Sequence, residues 1–150
     1  MAEYVQIASP QVVAYDANVL LADSIPCNKG LVRHRNGSGI LTLSGGSTNC
    51  FARYQVTFNG NIAIPTGGTV DPIAVAIALS GEPLQTSRAI ATPAAVEEYS
   101  NVTSTAIITV PRGCCVTIAV ENVAAGVGDT VVEGQAISVA DGNLTVARIA

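Results

Sequence analysis

The chain has no tryptophan, one methionine, one histidine (His34) and a single lysine (Lys29). Charged residues make up only 12% of it, against roughly 25% in an average soluble protein, so the surface must be poor in charge. Seven basic side chains against eleven acidic ones leave a net charge of -4. No polybasic face exists to neutralise phosphates, which argues against nucleic acid as a partner. Apolar residues reach 49%, yet the longest unbroken apolar run, Ile73 to Leu79, falls far short of the roughly 18 to 20 residues of a spanning helix. A membrane is not expected as a partner either. Met1-Ala2-Glu3-Tyr4 lacks the basic start and apolar stretch of a secretory leader, so classical secretion is not expected. Without export, the acceptor-type triplets at Asn36, Asn101 and Asn143 read as polar turn and strand residues.

Groups that catalysis would need are missing too. His34 lies in the turn-like run Arg33-His34-Arg35-Asn36-Gly37-Ser38, and no Gly-x-Ser-x-Gly surrounds a serine, so a nucleophilic triad has no support. Glu97-Glu98 is the one adjacent carboxylate pair, and neighbours in sequence do not set the separation across a substrate that glycoside hydrolysis demands. Gly45-Gly46 and Gly67-Gly68 lack the following lysine and helix of a nucleotide site. Asp16, Asp23, Asp71, Asp129 and Asp141 are scattered like turn residues, without the spacing of a calcium loop. Neither a cofactor, nor a metal, nor enzymatic activity is expected. The four cysteines, Cys27, Cys50, Cys114 and Cys115, have no paired C-x-x-C spacing of a zinc site. Buried free thiols are the expectation, with a Cys27 to Cys50 bridge left open. Cys114 and Cys115 are adjacent, so an extended strand would point them to opposite faces.

What the sequence has is alternation. Ala52, Tyr54, Val56, Phe58, Ile62 and Ile64 share one parity, the period of a half-buried strand that sends Tyr54 and Phe58 into a core. Arg53, Gln55 and Thr57 take the other face, polar enough to meet water or a hydrated subunit contact. Asn59-Gly60-Asn61 is expected to bulge or bend that strand. Ile73 to Ser80 carries large side chains on odd positions and only Ala and Ser on even ones, so neither face is simply solvated and a loop or neighbouring chain should cover the small one. Thr92-Pro93-Ala94-Ala95 has a helix-start signature, but too short a stretch follows, and it reads as a loop embellishment. Alternation returns over Tyr99 to Val110, breaks at Pro111-Arg112-Gly113 and resumes from Cys114. Asp141-Gly142 between two alternating segments predicts a hairpin. Gln11 to Leu21 and Gly39 to Ser44 are further strand candidates. The fold class is therefore all-β, a jelly-roll sandwich of about eight to ten antiparallel strands. Residues 1–25 are an N-terminal arm or first strand, a candidate attachment segment, and 26–150 form the jelly-roll domain.

In order, Ala52 to Phe58, Ile73 to Gly81-Glu82, Ile107 to Gly113 and Leu144 to Ile149 resemble the jelly roll shared by tumour necrosis factor (TNF) and the globular heads of complement and bacterial collagen-like proteins. The resemblance spans roughly residues 39–150. It implies a compact trimer about a threefold axis, one sheet of each subunit packed on its neighbours. Such axes are lined by aromatic and aliphatic side chains, and here the aromatics are only Tyr4, Tyr15, Phe51, Tyr54, Phe58 and Tyr99. Tyr54, Phe58, Ala74, Ala76 and Ala78 are the candidate interface. The phrase from Phe51 to Gly81, with Pro111-Arg112-Gly113-Cys114-Cys115, also resembles small uncharacterised proteins of phages and prophages. The leading expectation is a non-enzymatic homotrimeric module that decorates or projects from a phage capsid, made in the bacterial cytoplasm and carried on the virion. The alternative is a receptor- or glycan-binding head on a phage fibre or a bacterial or spore surface. It would bind through end loops, with Asn36, Gly37, Thr66, Asp71 and Asp129 as candidate positions.

Overall fold

In the computed structural model, which describes residues 2–7, 10–25, 31–46, 50–113 and 115–150, the alternating segments become two antiparallel sheets packed face to face. Twelve strands occur among the described residues: β1 (Ala2–Ile7), β2 (Gln11–Val13), β3 (Leu21–Ile25), β4 (Val32–His34), β5 (Leu41–Ser44), β6 (Phe51–Ala63), β7 (Ile73–Leu79), β8 (Glu82–Pro83), β9 (Ala89–Ala91), β10 (Ser100–Pro111), β11 (Cys115–Val123) and β12 (Ile137–Arg148). The count exceeds the expectation because β2, β4, β8 and β9 have only two or three residues each.

The first sheet runs β10-β6-β12-β1-β3, with β2 continuing beside β12. The second runs β4-β5-β11-β7-β8, with β9 also on β7. The connection at Pro111-Arg112-Gly113 therefore passes from one sheet to the other and makes no hairpin. Inward parity holds as expected: Val5, Tyr54, Val56, Phe58, Ile108 and Leu144 of the first sheet meet Leu41, Leu43, Val75, Ile77, Ile118 and Val120 of the second in one core cluster. Burial of each large aliphatic side chain there stabilises the fold by about 1.5–3 kcal/mol. The Tyr54 hydroxyl donates to the Ser44 carbonyl at 2.6 Å, satisfying its polar end while tying the two layers together. Residues 2–25 supply β1, β2 and β3, and Val5, Ile7, Val13 and Leu21 from this segment are buried in the chain's own core.

Three local expectations are corrected. Asp141-Gly142 does not reverse the chain. β12 runs straight through it, and between the pairs Ala140↔Asn61 and Asn143↔Asn59 it carries one residue more than β6. The extra residue is a bulge, made by Asp141 in the left-handed region at φ 53°, a conformation Asp tolerates better than most residues. The irregularity expected in Asn59-Gly60-Asn61 thus lies in the partner strand, and β6 keeps an unbroken register with β10. Cys50 and Cys115 are exposed, not buried as expected, because one stands just before β6 and the other opens β11. Cys27 and Cys114 lie outside the described residues, and with them the Cys27 to Cys50 bridge and the facing of the Cys114-Cys115 pair.

Candidate functional site

Strand pairing decides which side chains become neighbours on the solvent side of the first sheet. The outward residues of β10 (Asn101, Thr103, Thr105, Ile107, Thr109, Pro111) stand opposite those of β6 (Asn61, Asn59, Thr57, Gln55, Arg53, Phe51), pair by pair. β12 extends the rows with Asn143 beside Asn59, Thr145 beside Thr57 and Ala147 beside Gln55. β1 adds Gln6 beside Asn143 and Tyr4 beside Thr145. The face is thus a grid of levels. Phe51, Ile107 and Ile149 hold one end, three threonines cross the middle, and asparagines gather at the other.

Several of these side chains already engage one another, within a level and between neighbouring levels. Thr57 and Thr105 share a hydroxyl contact of 3.1 Å. The Asn101 amide donates to the side-chain oxygens of Asn59 and Asn61 at 3.1 and 3.2 Å, and the Thr103 hydroxyl donates to Asn59 at 3.2 Å. Arg53 is the single charge on the outward positions of β6 and β10, and its guanidinium lies 5.0 Å from the Phe51 ring centre, a cation–π contact that leaves the apolar end intact. Phe51, Ile107 and Ile149 are 41%, 63% and 50% exposed. A sandwich face meant for water would carry lysines and glutamates. This one carries uncharged groups that both donate and accept, bordered by apolar side chains.

The candidate interface residues are placed elsewhere. Tyr54 and Phe58 have no exposed surface, since their parity is that of the core, and they cannot line a contact between copies. Ala74, Ala76 and Ala78 are also buried within the single chain, where Val123 and Ala125 pack on Ala74 and Ala76 as a small second cluster. The chain covers its own alanine face, so no neighbour is required there. Arg53, Gln55 and Thr57, the face expected to meet water or a hydrated subunit contact, belong to the grid. Ile107, Phe51 and Ile149 were missed. The alternation of Thr103, Thr105 and Thr109 was the available signal, but only the register reveals the shared surface.

The end-loop candidates separate. Asn36 and Gly37 line one hollow with Arg35 and Ser38. Thr66 lines another with Pro65, Gly67, Gly68, Thr69, Gln135 and Ala136. There the Thr66 amide and hydroxyl both donate to the Glu97 carboxylate, at 2.9 and 3.1 Å, and the Gln135 side-chain amide accepts from the Thr69 amide through its oxygen and donates to the Thr69 carbonyl through its nitrogen. Asp71 and Asp129 are exposed and line neither hollow. Glu97 and Glu98 converge on no shared site, and His34 is held by serines: its Nδ1 is 2.6 Å from the Ser24 hydroxyl and its Nε2 is 2.9 Å from the Ser38 carbonyl. Glu121 is buried on β11, where loss of water, helped by Asp16 and Glu82, pushes its carboxyl above the usual range. Among the described residues no group of three or more His, Cys, Asp or Glu side chains is placed to hold a metal ion.

No protein-family model and no curated protein matches the sequence. Solved structures do match in fold. The Eiger TNF of S. frugiperda superposes with a TM-score of 0.70 at 12% identity, over 100% of this chain and 92% of that one. The globular domain of zebrafish complement 1qA gives 0.63 at 12% identity, over 97% and 94%. Murine APRIL gives 0.54 at 10% identity, over 95% and 96%. The fold is the jelly roll of TNF and complement C1q heads.

Proposed function

We propose that this TNF-type jelly roll is a non-enzymatic structural head that associates with itself as a homotrimer through the open face of the first sheet. One observation carries the reading: a sheet face whose β6 and β10 positions carry a single charge, apolar at one end and amide-rich at the other. Copies arranged about an axis along the strands keep equal levels together, hydroxyl against hydroxyl and Ile107 against Ile107. An antiparallel twofold contact would set Phe51 of one copy against the asparagines of the other and leave polar groups without partners. Trimeric order follows the expectation drawn from the resemblance to TNF-type heads. Light scattering on the native chain at micromolar concentration tests it. A particle near three times the 15.2 kDa chain mass is expected, and a monomer overturns the reading.

The setting we propose is the surface of a phage particle, where such a head decorates or projects from the capsid. Its support is the likeness of the Phe51 to Gly81 phrase, with Pro111 to Cys115, to small phage proteins. Mass spectrometry of purified particles should then find the chain among the virion proteins. Its consistent absence there would remove the setting and leave the trimeric head untouched.

A further inference from the structure

The edge of the second sheet holds a hollow remote in kind from the self-association face. Arg33, His34, Arg35, Ser38, Ile40 and Thr42 line about 440 Å³ of it, within the size range of small-molecule sites. A neighbouring hollow of about 350 Å³ shares Arg35 and Ser38 and adds Asn36 and Gly37. Arg33 follows the buried Val32 and stands beside Thr42 of β5, so both side chains leave the sandwich on its outer side. Among the described residues neither the Arg33 nor the Arg35 guanidinium has an ion-pair or hydrogen-bond partner. Two of the chain's seven cations therefore stand two residues apart, without an ion-pair partner, at one concave place, and the one carboxylate tied to the turn, that of Asp23, accepts from the Asn36 amide at 3.5 Å.

The turn that carries them is braced. Gly37, at φ 86°, donates its amide to the Leu21 carbonyl at 2.7 Å and to Ala22 at 3.1 Å. The Asn36 side-chain oxygen accepts from the Ser24 amide at 3.3 Å. His34, between the arginines, is clamped by Ser24 and Ser38 as described. The bracing fixes the turn backbone before any ligand arrives, which lowers the ordering cost of binding.

We propose that Arg33 and Arg35 form a binding site for an acidic saccharide, the guanidiniums taking a carboxylate or sulfate and Ser38, Thr42 and Asn36 meeting ring hydroxyls. Paired guanidiniums match the planar oxygens of such groups. The exposed Ile40 offers an apolar contact for a sugar ring. A polynucleotide fits poorly, because two cations cannot track a phosphate backbone and no Phe, Tyr or Trp side chain lines the hollow for a base to stack on, the one ring there, that of His34, being tied to Ser24 and Ser38. The site stands independently of the proposed trimer, since it uses the other sheet.

Calorimetric titration with a uronate-bearing hexasaccharide, a sulfated hexasaccharide, their neutral counterpart and inorganic sulfate tests the assignment. At least one acidic hexasaccharide should bind saturably and the neutral one should not. Inorganic sulfate should bind more weakly than the acidic sugar. Combined Arg33→Ala and Arg35→Ala replacement should weaken the acidic sugar by about tenfold or more, with particle mass and circular dichroism unchanged. The proposal falls if the neutral sugar binds equally well, if the double variant binds like the parent, if neither acidic sugar binds at millimolar concentration, or if sulfate alone matches the sugar. Because the mass of the variant is read separately, failure here and failure of the trimer are told apart.

Discussion

Replacing Ile107 by lysine tests the self-association face where it is most apolar. Ile107 is 63% exposed in the single chain and shares its level with Gln55 and Ala147. Full burial of such a side chain contributes about 1.5–3 kcal/mol, so closing a seam over the exposed part contributes about 1–2 kcal/mol per copy and about 3–6 kcal/mol for three. Ile107→Lys removes that gain and sets an ammonium diagonally beside Arg53, with no outward carboxylate on β6 or β10 to answer it. Desolvating each unpaired charge costs several kcal/mol more. Within one subunit the position faces outward, so the cost to the isolated fold stays within about 1 kcal/mol of strand propensity. Sedimentation velocity should therefore report a folded 15.2 kDa species for Ile107→Lys, with an unchanged far-ultraviolet circular dichroism spectrum, where the parent sediments as a trimer. A variant that keeps the parent's mass at the same concentration would refute the placement of the seam.

Other outcomes follow from single contacts. Tyr54→Phe leaves the Ser44 carbonyl without its donor and should cost about 1–3 kcal/mol in denaturant unfolding. Burial pushes the Tyr54 phenol above its ordinary value, partly offset by Arg148, so the unfolded chain loses that proton first. The parent should lose stability as pH rises past about 10, and Tyr54→Phe should lack this part of the slope. Glu121→Gln acts in the opposite pH range. The folded chain holds the Glu121 proton more tightly than the unfolded one, so parental stability should fall as pH rises from the ordinary carboxylate range through the raised folded value. The variant should be more stable than the parent at neutral pH, read as a higher melting temperature, and should lack this part of the pH slope. At Gly45 an added Cβ would stand 1.9 Å from the Pro111 carbonyl oxygen, a backbone atom that cannot step aside, and Gly45→Ala should destabilise by about 3 kcal/mol or more in thermal unfolding. A melting temperature equal to the parent's would contradict that packing.

The fold class was legible because alternation is a property of a few consecutive residues. A strand turns successive side chains to opposite sides wherever it is finally placed. The inward set of β6, with Tyr54 and Phe58, and the two-sided burial of Ile73 to Leu79 could be read from spacing alone. Asp141-Gly142 was misread for the converse reason: a left-handed residue before glycine serves a two-residue turn and a bulge equally well, and only the presence of β6 alongside decides between them.

What remained hidden were relations between distant segments. That Thr57, Thr105 and Thr145 form one level, that Ala74 and Ala76 are covered by Val123 and Ala125, and that Arg33 and Arg35 face a hollow braced from β3 all depend on which strands pair and which loops fold back. By itself the sequence determined strands, their inward sides and the scarcity of charge, since these are local or compositional. The tertiary structure decided which face stays open, because covering one surface with another requires residues far apart in the chain to meet, and no period within a strand records its partner.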